Sequence, residues 1–229
     1  MEYNIFGSVL PGITITLNRG ESVYTQSGAM VWMDESIKME SNLKGGIMKG
    51  IGRLFSGESL MLINFEATQP QSEVTFASSF PGEILDVELY KGDELIAQKS
   101  AFLCATQGIS LSVAFTKKIS SGFFGGEGFI LQRLTGTGMV FLEVDGNVKE
   151  RELRAGEVIK VDTGNIVAFE SSVKYEIETV KGFKNLFFGG EGLFLTKLTG
   201  PGRVWLQTAT LQNVAQTLIP YIPIPTSVD

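Results

Sequence analysis

Three glutamates stand beside glycines in a recurring motif, and carboxylates in such a set can bind a cation. Glu127 and Glu191 lie in two identical copies of FFGGEG, and Glu58 lies in the related FSGES. If the motif marks repeats of one fold, pseudo-symmetry can bring the three side chains to a common axis. Carboxylates that meet there repel each other unless they are protonated, bridged by Lys or Arg, or bound to a cation such as Ca²⁺ or Mg²⁺. The spacing therefore predicts a cation site formed by Glu58, Glu127 and Glu191 on a pseudo-threefold axis.

The glycines of the motif also have a simpler interpretation. Glycine-rich turns accommodate positive φ angles, and a Glu within such a turn can accept hydrogen bonds from the turn N–H groups. A phosphate-binding loop would set a Lys or a helix N-terminus against the charge, whereas this motif carries a Glu and is followed by an apolar strand pattern. The motif is thus more typical of a structural turn than of a phosphate loop.

Basic residues flank apolar or aromatic ones in the segment before each copy of the motif. The segments read LKGGIMKGIGRLF, FTKKISSGFF and VKGFKNLFF. If they gather at one end of the molecule, they form a basic ring around an apolar patch, which could dock on a protein partner, on a second copy of the chain or on an anionic membrane surface. The alternative is that the phenylalanines lie in the core and the lysines are merely solvated. The predicted interaction surface comprises Lys44, Lys49, Arg53, Lys117, Lys118, Phe123, Lys181, Lys184 and Phe187.

The chain of 229 residues contains no His and one Cys, which excludes several kinds of catalytic site. Without His there is no Ser-His-Asp or Cys-His machinery, no His-ligated zinc and no His acid–base catalysis. Cys104 lies in the apolar stretch SAFLCATQ, where we expect it to be buried as a small hydrophobic residue. Adjacent acidic pairs such as Asp34 with Glu35 fall at turns and are typical of solvated charge. We expect no cofactor.

The net charge of −6 argues against nucleic-acid binding, because that binding depends on Lys and Arg side chains that neutralise phosphates. No apolar run approaches the roughly 20 residues that a membrane-spanning helix needs. Glu2 stands where a signal peptide carries positive charge. We therefore expect a cytoplasmic protein without a transmembrane segment.

Internal repetition organises the chain. When the segments that begin at Phe123 and Phe187 are aligned over 20 positions, 13 positions are identical. The shorter copy of the motif aligns with both, and the alignment superposes Leu62, Leu131 and Leu195. Self-similarity of this kind indicates tandem copies of one structural unit.

Each repeat has the alternation of half-buried strands. ITITL, ILDVELY and KYEIETV alternate apolar and polar residues with a period of two, and Gly-containing turns separate such stretches. A Gly-acidic pair at Gly20, Gly92 and Gly156 opens a further short apolar strand in each repeat. We predict an all-β fold of three tandem pseudo-repeats, each a small antiparallel sandwich or roll, packed around a pseudo-threefold axis. The predicted units are the repeats 1–70, 71–135 and 136–208, and a tail over 209–229.

The tail has the pattern of one short helix. Leu211, Val214 and Leu218 stand at helical intervals, and Pro220 follows them. Because Pro disfavours continuation of a helix, the pattern predicts a helix near 209–219 that packs on a sheet as a cap.

The motif with its downstream strand, written FFGGEGhhhxxLxGxG with h for an apolar residue, resembles a bacterial family related to the altered-inheritance-of-mitochondria proteins. The resemblance covers about residues 1–208. It implies a double-stranded β-helix-like fold, with tandem copies similar to the fold of the tryptophan RNA-binding attenuation protein. It brings a mitochondrial-biogenesis label from eukaryotic relatives and implies no reaction. RNA binding does not follow, because the chain lacks a basic, base-stacking surface.

Three functions fit these observations. The favoured one is a cytoplasmic, non-enzymatic binding or scaffolding protein that can self-associate. The second is a carboxylate- or metal-dependent enzyme with its site at the interface between repeats. The third is a peripheral membrane protein that uses the basic-aromatic end of the molecule.

Overall fold

The fold consists almost wholly of β-strands. The structure is a computed structural model that describes residues 1–26, 28–41, 62–117, 128–179 and 194–222. Those residues contain one α-helix, α1 (Leu211–Leu218), which confirms the predicted all-β fold with a short C-terminal helix. The strands are β1 Glu2–Phe6, β2 Gly12–Leu17, β3 Ser22–Gln26, β4 Met30–Met33, β5 Ile37–Ser41, β6 Leu62–Ala67, β7 Ser72–Ala77, β8 Gly82–Leu89, β9 Glu94–Gln98, β10 Phe102–Thr106, β11 Ile109–Lys117, β12 Phe129–Gly136, β13 Gly138–Asp145, β14 Val148–Leu153, β15 Val158–Asp162, β16 Ile166–Glu170, β17 Lys174–Thr179, β18 Phe194–Thr199 and β19 Gly202–Gln207.

Hydrogen bonds arrange these strands into four antiparallel sheets within the described residues. The first sheet has the order β1-β2-β7-β4, and the fourth has the order β15-β18-β17. The second sheet has the order β5-β6-β3-β10-β13-β8, and the third has the order β11-β12-β9-β16-β19-β14. Adding six to each strand number of the second sheet gives the third, so the pairing recurs with a period of six strands.

A β-bulge recurs at one position of this period. The register shifts at residues 30–32 of β4, 102–104 of β10 and 166–168 of β16, where each strand pairs with β7, β13 and β19 respectively. A bulge leaves one extra residue unpaired and bends its strand. The unpaired residues in these ladders are Val31, Leu103 and Val167.

The leucines that the sequence alignment superposes share one register position. They pair with the last residue of a strand in each case, as Leu62 with Gln26, Leu131 with Gln98 and Leu195 with Asp162. The division into units 1–70, 71–135 and 136–208 stays our proposal, and the recurring register supports it. Because a repeat can be divided at any point of its period, units that begin at β2, β8 and β14 describe the same period.

Apolar side chains form three cores, one between each successive pair of sheets. In the first core, the rings of Phe65 and Phe76 meet edge to face with their centroids 5.3 Å apart. The second core contains Leu142 from the second sheet and Leu134 from the third, and the third core contains Leu198 from the fourth. Full burial of each such side chain contributes about 1.5–3 kcal/mol. The cores hold the sheets together and leave the strand ends free to form a site.

Candidate functional site

A cavity of about 940 Å³ lies at the end of the molecule where several strands finish. Its walls come from the ends of β3, β7, β9, β13 and β19 and from the starts of β4 and β10. Gly164, in a short 3-10 turn, and residues 210–212 at the start of α1 add to the walls. The volume falls within the roughly 300–1,000 Å³ that is usual for small-molecule pockets.

Corresponding positions of the repeated strands meet in this cavity. The first residue of each strand with the recurring bulge pairs with a residue of β7, β13 or β19. The next residue of that partner strand lines the cavity in each case, and these residues are Ala77, Glu143 and Gln207. Gln26 and Gln98, which end β3 and β9, line it as well. Two sets of strand positions therefore build this part of the wall. The side chains of the first set differ between copies, whereas Gln recurs in the second.

Three buried polar atoms in the wall have no hydrogen-bond partner within the described part of the chain. They are Gln26 Nε2, Ser78 Oγ and Gln98 Oε1. Ser78 and Gln98 are only 9% and 7% exposed. Most buried polar atoms in folded proteins are hydrogen-bonded, and each one left unpaired costs about 1–3 kcal/mol. A ligand that bonds these atoms would recover that free energy.

Two carboxylates of β13 also line the cavity. Glu143 and Asp145 are two residues apart, so their side chains lie on the same face of the strand. Glu143 Oε2 accepts from the N–H and the hydroxyl of Ser79 at 2.7 and 3.0 Å, and Asp145 Oδ2 accepts from the N–H of Leu211 at 3.2 Å. Burial raises the pKa of both carboxyl groups above the usual value although these hydrogen bonds act in the opposite direction, and the charge of Asp145 raises the pKa of Glu143 further.

Hydrogen bonds hold α1 and the ends of β13 and β19 around the cavity. Gln207 Oε1 accepts from the N–H of Asp145 at 3.0 Å, and Gln207 Nε2 donates to the carbonyl oxygen of Gly164 at 3.0 Å. Thr210 caps α1, because its hydroxyl oxygen accepts from the N–H of Asn213 at 3.1 Å. Such a cap stabilises a helix by about 1 kcal/mol. This side of the wall is therefore positioned by specific polar contacts.

Most residues of the predicted sites lie outside the described residues, and those sites stay predictions. Lys117 is the last residue of β11, and Gly128, which follows Glu127, lines the cavity. Leu62 and Phe194, the first described residues after two of the undescribed segments, begin β6 and β18. The predicted residues outside the description are Glu58, Glu127 and Glu191 of the cation site and Lys44, Lys49, Arg53, Lys118, Phe123, Lys181, Lys184 and Phe187 of the interaction surface.

The polar residues of the cavity wall were not singled out by sequence, although a signal for some of them is present. The segments GESVYTQ, GDELIAQ and GEVIKVD each end their apolar strand with a polar residue, which is Gln26, Gln98 and Asp162. A polar residue at the same strand end in three copies indicates a shared site. Glu143 carries no comparable signal, because its counterparts Ala77 and Gln207 are different residue types.

Other catalytic or metal chemistry has little support from the described residues. Among them, no three or more Cys, Asp or Glu side chains gather as ligands for a metal ion. Cys104 is buried in the first core, as predicted, and burial raises the pKa of its thiol. In the same described ranges, no helix has both the length and the apolar character needed to cross a membrane.

Comparisons with known proteins agree with this architecture. A model of the family described as Mitochondrial biogenesis AIM24 matches residues 3–209. An uncharacterized protein of Streptococcus pyogenes serotype M6 is 29% identical over 221 residues, which cover 93% of this chain and 87% of that protein. A crystal structure of a protein from Streptococcus pyogenes is similar with a TM-score of 0.76 at 24% identity, covering 96% of this chain and 99% of that one. At this identity, the structural likeness concerns the fold alone.

Proposed function

We propose that this chain, which belongs to the mitochondrial biogenesis AIM24 family, is a non-enzymatic protein that binds a small molecule in the cavity at its strand ends. The observation that carries the proposal is the pair of buried, unpartnered polar atoms in the wall, Gln98 Oε1 and Ser78 Oγ. A cavity without a ligand is stable when its walls are apolar, or when water satisfies its polar groups. Buried polar groups that no described residue satisfies favour a binding role.

A second candidate is a carboxylate-dependent enzyme with its site between repeats. Glu143 and Asp145 favour it, because both line the cavity and both have a raised pKa, as acid–base catalysts often do. Ser79 donates its hydroxyl to Glu143 at 3.0 Å, which is the distance expected of a nucleophile and its base. A carboxylate is too weak a base to deprotonate a serine hydroxyl appreciably, however, and the chain has no His to replace it. Binding therefore accounts for the wall better than hydrolysis does.

The other predicted properties belong to the same proposal. Gly128 lies in the wall and is the last residue of the first FFGGEG copy, so ligand binding and a partner surface on the basic-aromatic segments would lie close together. Self-association, docking on a protein partner or an anionic membrane, the cytoplasmic location and the likeness of each unit to the attenuation-protein fold all stay proposals. The recurring strand order supports the three tandem units.

The test compares the small molecules that co-purify with the wild-type chain and with a chain whose cavity is filled. Ala215 lies on α1 and lines the cavity, so Ala215→Trp introduces an indole at its wall. We expect mass spectrometry of the material released by denaturation to show a compound bound to the wild-type chain and absent from the variant.

Thr217→Trp is the matched control, because Thr217 is exposed on the same helix and does not line the cavity. This variant should retain the compound. Equal yields from all three proteins, or no compound from the wild-type chain, would overturn the proposal.

A further inference from the structure

Glu143 and Asp145 bring two carboxylates to one wall of the cavity. Neither carboxylate forms an ion pair with a described residue. Lys99 also lines the cavity, so the charged side chains of the described wall carry one positive and two negative charges. Burial and the neighbouring like charge both disfavour ionisation of these carboxyl groups. Among the described residues of the wall, negative charge therefore exceeds positive charge.

The same wall offers hydrogen-bond acceptors that no described donor engages. The bonds from Ser79 and Leu211 engage one oxygen of each carboxylate, and the other oxygen of each remains able to accept. Gln98 Oε1 is an unpartnered acceptor in the same wall. An ammonium group has three N–H donors and no acceptor, so it matches this set.

Apolar side chains form another part of the wall. Met30, Phe102, Ile130 and Leu211 line the cavity, and Phe80 joins them from the loop after β7. An apolar body of a ligand would bury its surface against these side chains at about 25 cal/mol per Å². Charge and hydrogen bonding at one wall with apolar side chains around it suit an amphiphilic molecule.

We propose, on the basis of the proposed function, that the ligand is an organic amine. Its ammonium group binds Glu143, Asp145 and Gln98, and its apolar body packs against Met30 and Phe102. A divalent metal ion fits less well, because Ca²⁺ takes about 6–8 oxygen ligands and the described residues contain no cluster of three acidic side chains. A cavity of about 940 Å³ is also far larger than an ion requires.

Calorimetric titration of the full chain with hexylamine hydrochloride at neutral pH tests the ligand class. We expect hexylammonium to bind and hexanol, which has the same apolar body without the charge, to bind at least tenfold more weakly. Glu143→Gln should weaken hexylammonium binding by about 10- to 100-fold, because a charge-assisted hydrogen bond is replaced by a neutral one. Asp145→Asn is a second variant with the same expected direction. Both amides keep an oxygen that can accept from Ser79 or Leu211.

Glu35→Gln is the matched control, since Glu35 is an exposed carboxylate outside the cavity wall. This variant should bind hexylammonium with the affinity of the wild-type chain. Circular dichroism and urea unfolding establish that each variant folds. The proposal of an amine ligand would be overturned if hexylammonium did not bind, or if Ca²⁺ bound in its place. It would also be overturned if hexanol bound equally well, or if Glu143→Gln and Asp145→Asn had the affinity of the wild-type chain. If the compound that co-purifies with the wild-type chain but not with Ala215→Trp is neutral or anionic, the amine proposal is wrong and the proposed binding function still holds.

Discussion

Two of the three strands that carry the recurring bulge lie inside a sheet, whereas the third ends one. β10 pairs with β3, and β16 pairs with β9, so that each pair joins the two halves of a six-stranded sheet. β4 pairs with β7 on one side only, as far as the described residues extend. β15, which corresponds to β3 and β9, is likewise the last strand of its sheet. We call the first two pairs the inner junctions and the strands β4 and β15 the open edges.

The inner junctions and the open edges differ in the exposure of corresponding residues. Val167 at the bulge of β16 is 0% exposed, whereas Val31 at the bulge of β4 is 52% exposed. Trp32 beside it is 54% exposed, although Trp is usually buried for most of its surface. The same strand position is thus a core position in β16, where Val167 packs between the second and third sheets, and a surface position in β4.

The two open edges also differ from each other. Lys160 in β15 occupies the position that Ile96 holds in β9, and its Nζ lies 2.9 Å from Glu178 Oε2 on the solvent side. Charged side chains on edge strands prevent other strands from pairing there. β4 has no such charge, because its four residues are all apolar. The chain therefore protects one open edge by charge and leaves the other apolar.

Truncation of matching valines should separate the two regions most clearly. Val167→Ala should lower the free energy of unfolding by about 1–3 kcal/mol, because each buried methyl group removed from a core costs about 0.5–1.5 kcal/mol. Val31→Ala should change it by less than about 0.5 kcal/mol, as is usual at exposed positions. Urea unfolding of both variants measures the difference, and equal losses would show that β4 is covered as completely as β16.

Replacement of Lys160 should turn the protected edge into an apolar one. Lys160→Ile removes an ion pair whose side chains are 56% and 42% exposed, so we expect the free energy of unfolding to change by less than about 1 kcal/mol. Its main effect should be concentration-dependent association, measured by light scattering. Lys197→Ile makes the same charge change on the central strand of that sheet and should associate no more than the wild-type chain at the same concentrations if the edge is responsible. Equal association of both variants would mean that net charge and not the edge controls it.

Tryptophan fluorescence should detect the difference in exposure between Trp32 and Trp205 with little effect on stability. Trp32 belongs to an open edge and is 54% exposed, whereas Trp205 is 3% exposed and donates its Nε1–H to Glu150 at 3.0 Å. We expect acrylamide to quench Trp205→Phe, which retains Trp32, more strongly than Trp32→Phe, which retains Trp205. Similar quenching constants in the two folded variants would contradict the exposure of β4.

The comparison also shows where sequence patterns are sufficient and where they are not. Alternation and helical spacing are local properties, so they predicted the strands and the helix that contains Leu211 and Leu218. Val31 and Val167 are the same residue at the same repeat position, but Val167 packs among side chains of two sheets and Val31 belongs to none of the described cores. The isoleucine-to-lysine difference between β9 and β15 was a visible signal of the open edge, because a Lys is rarely buried without a partner.

The candidate site follows the same rule. The polar ends of three strands, which include Gln26 and Gln98, are legible in the aligned repeats. Whether Gln98 has a hydrogen-bond partner depends on which side chains from distant strands reach it, and no sequence spacing encodes that. Glu143 was beyond sequence reasoning for the same reason, since its place in the cavity results from the end of β13 meeting the loop after β7 and the start of α1.

Cys104 gives the chain a native reporter of local opening. It is the single thiol of the sequence, it is 0% exposed in the first core, and burial disfavours its reactive thiolate form. A thiol reagent can react with it only after β10 has separated from its neighbours, so under conditions where reclosing is faster than reaction the labelling rate measures the equilibrium constant of that opening. The kinetics of a single covalent modification therefore measure the local stability of an inner junction in the unmodified sequence.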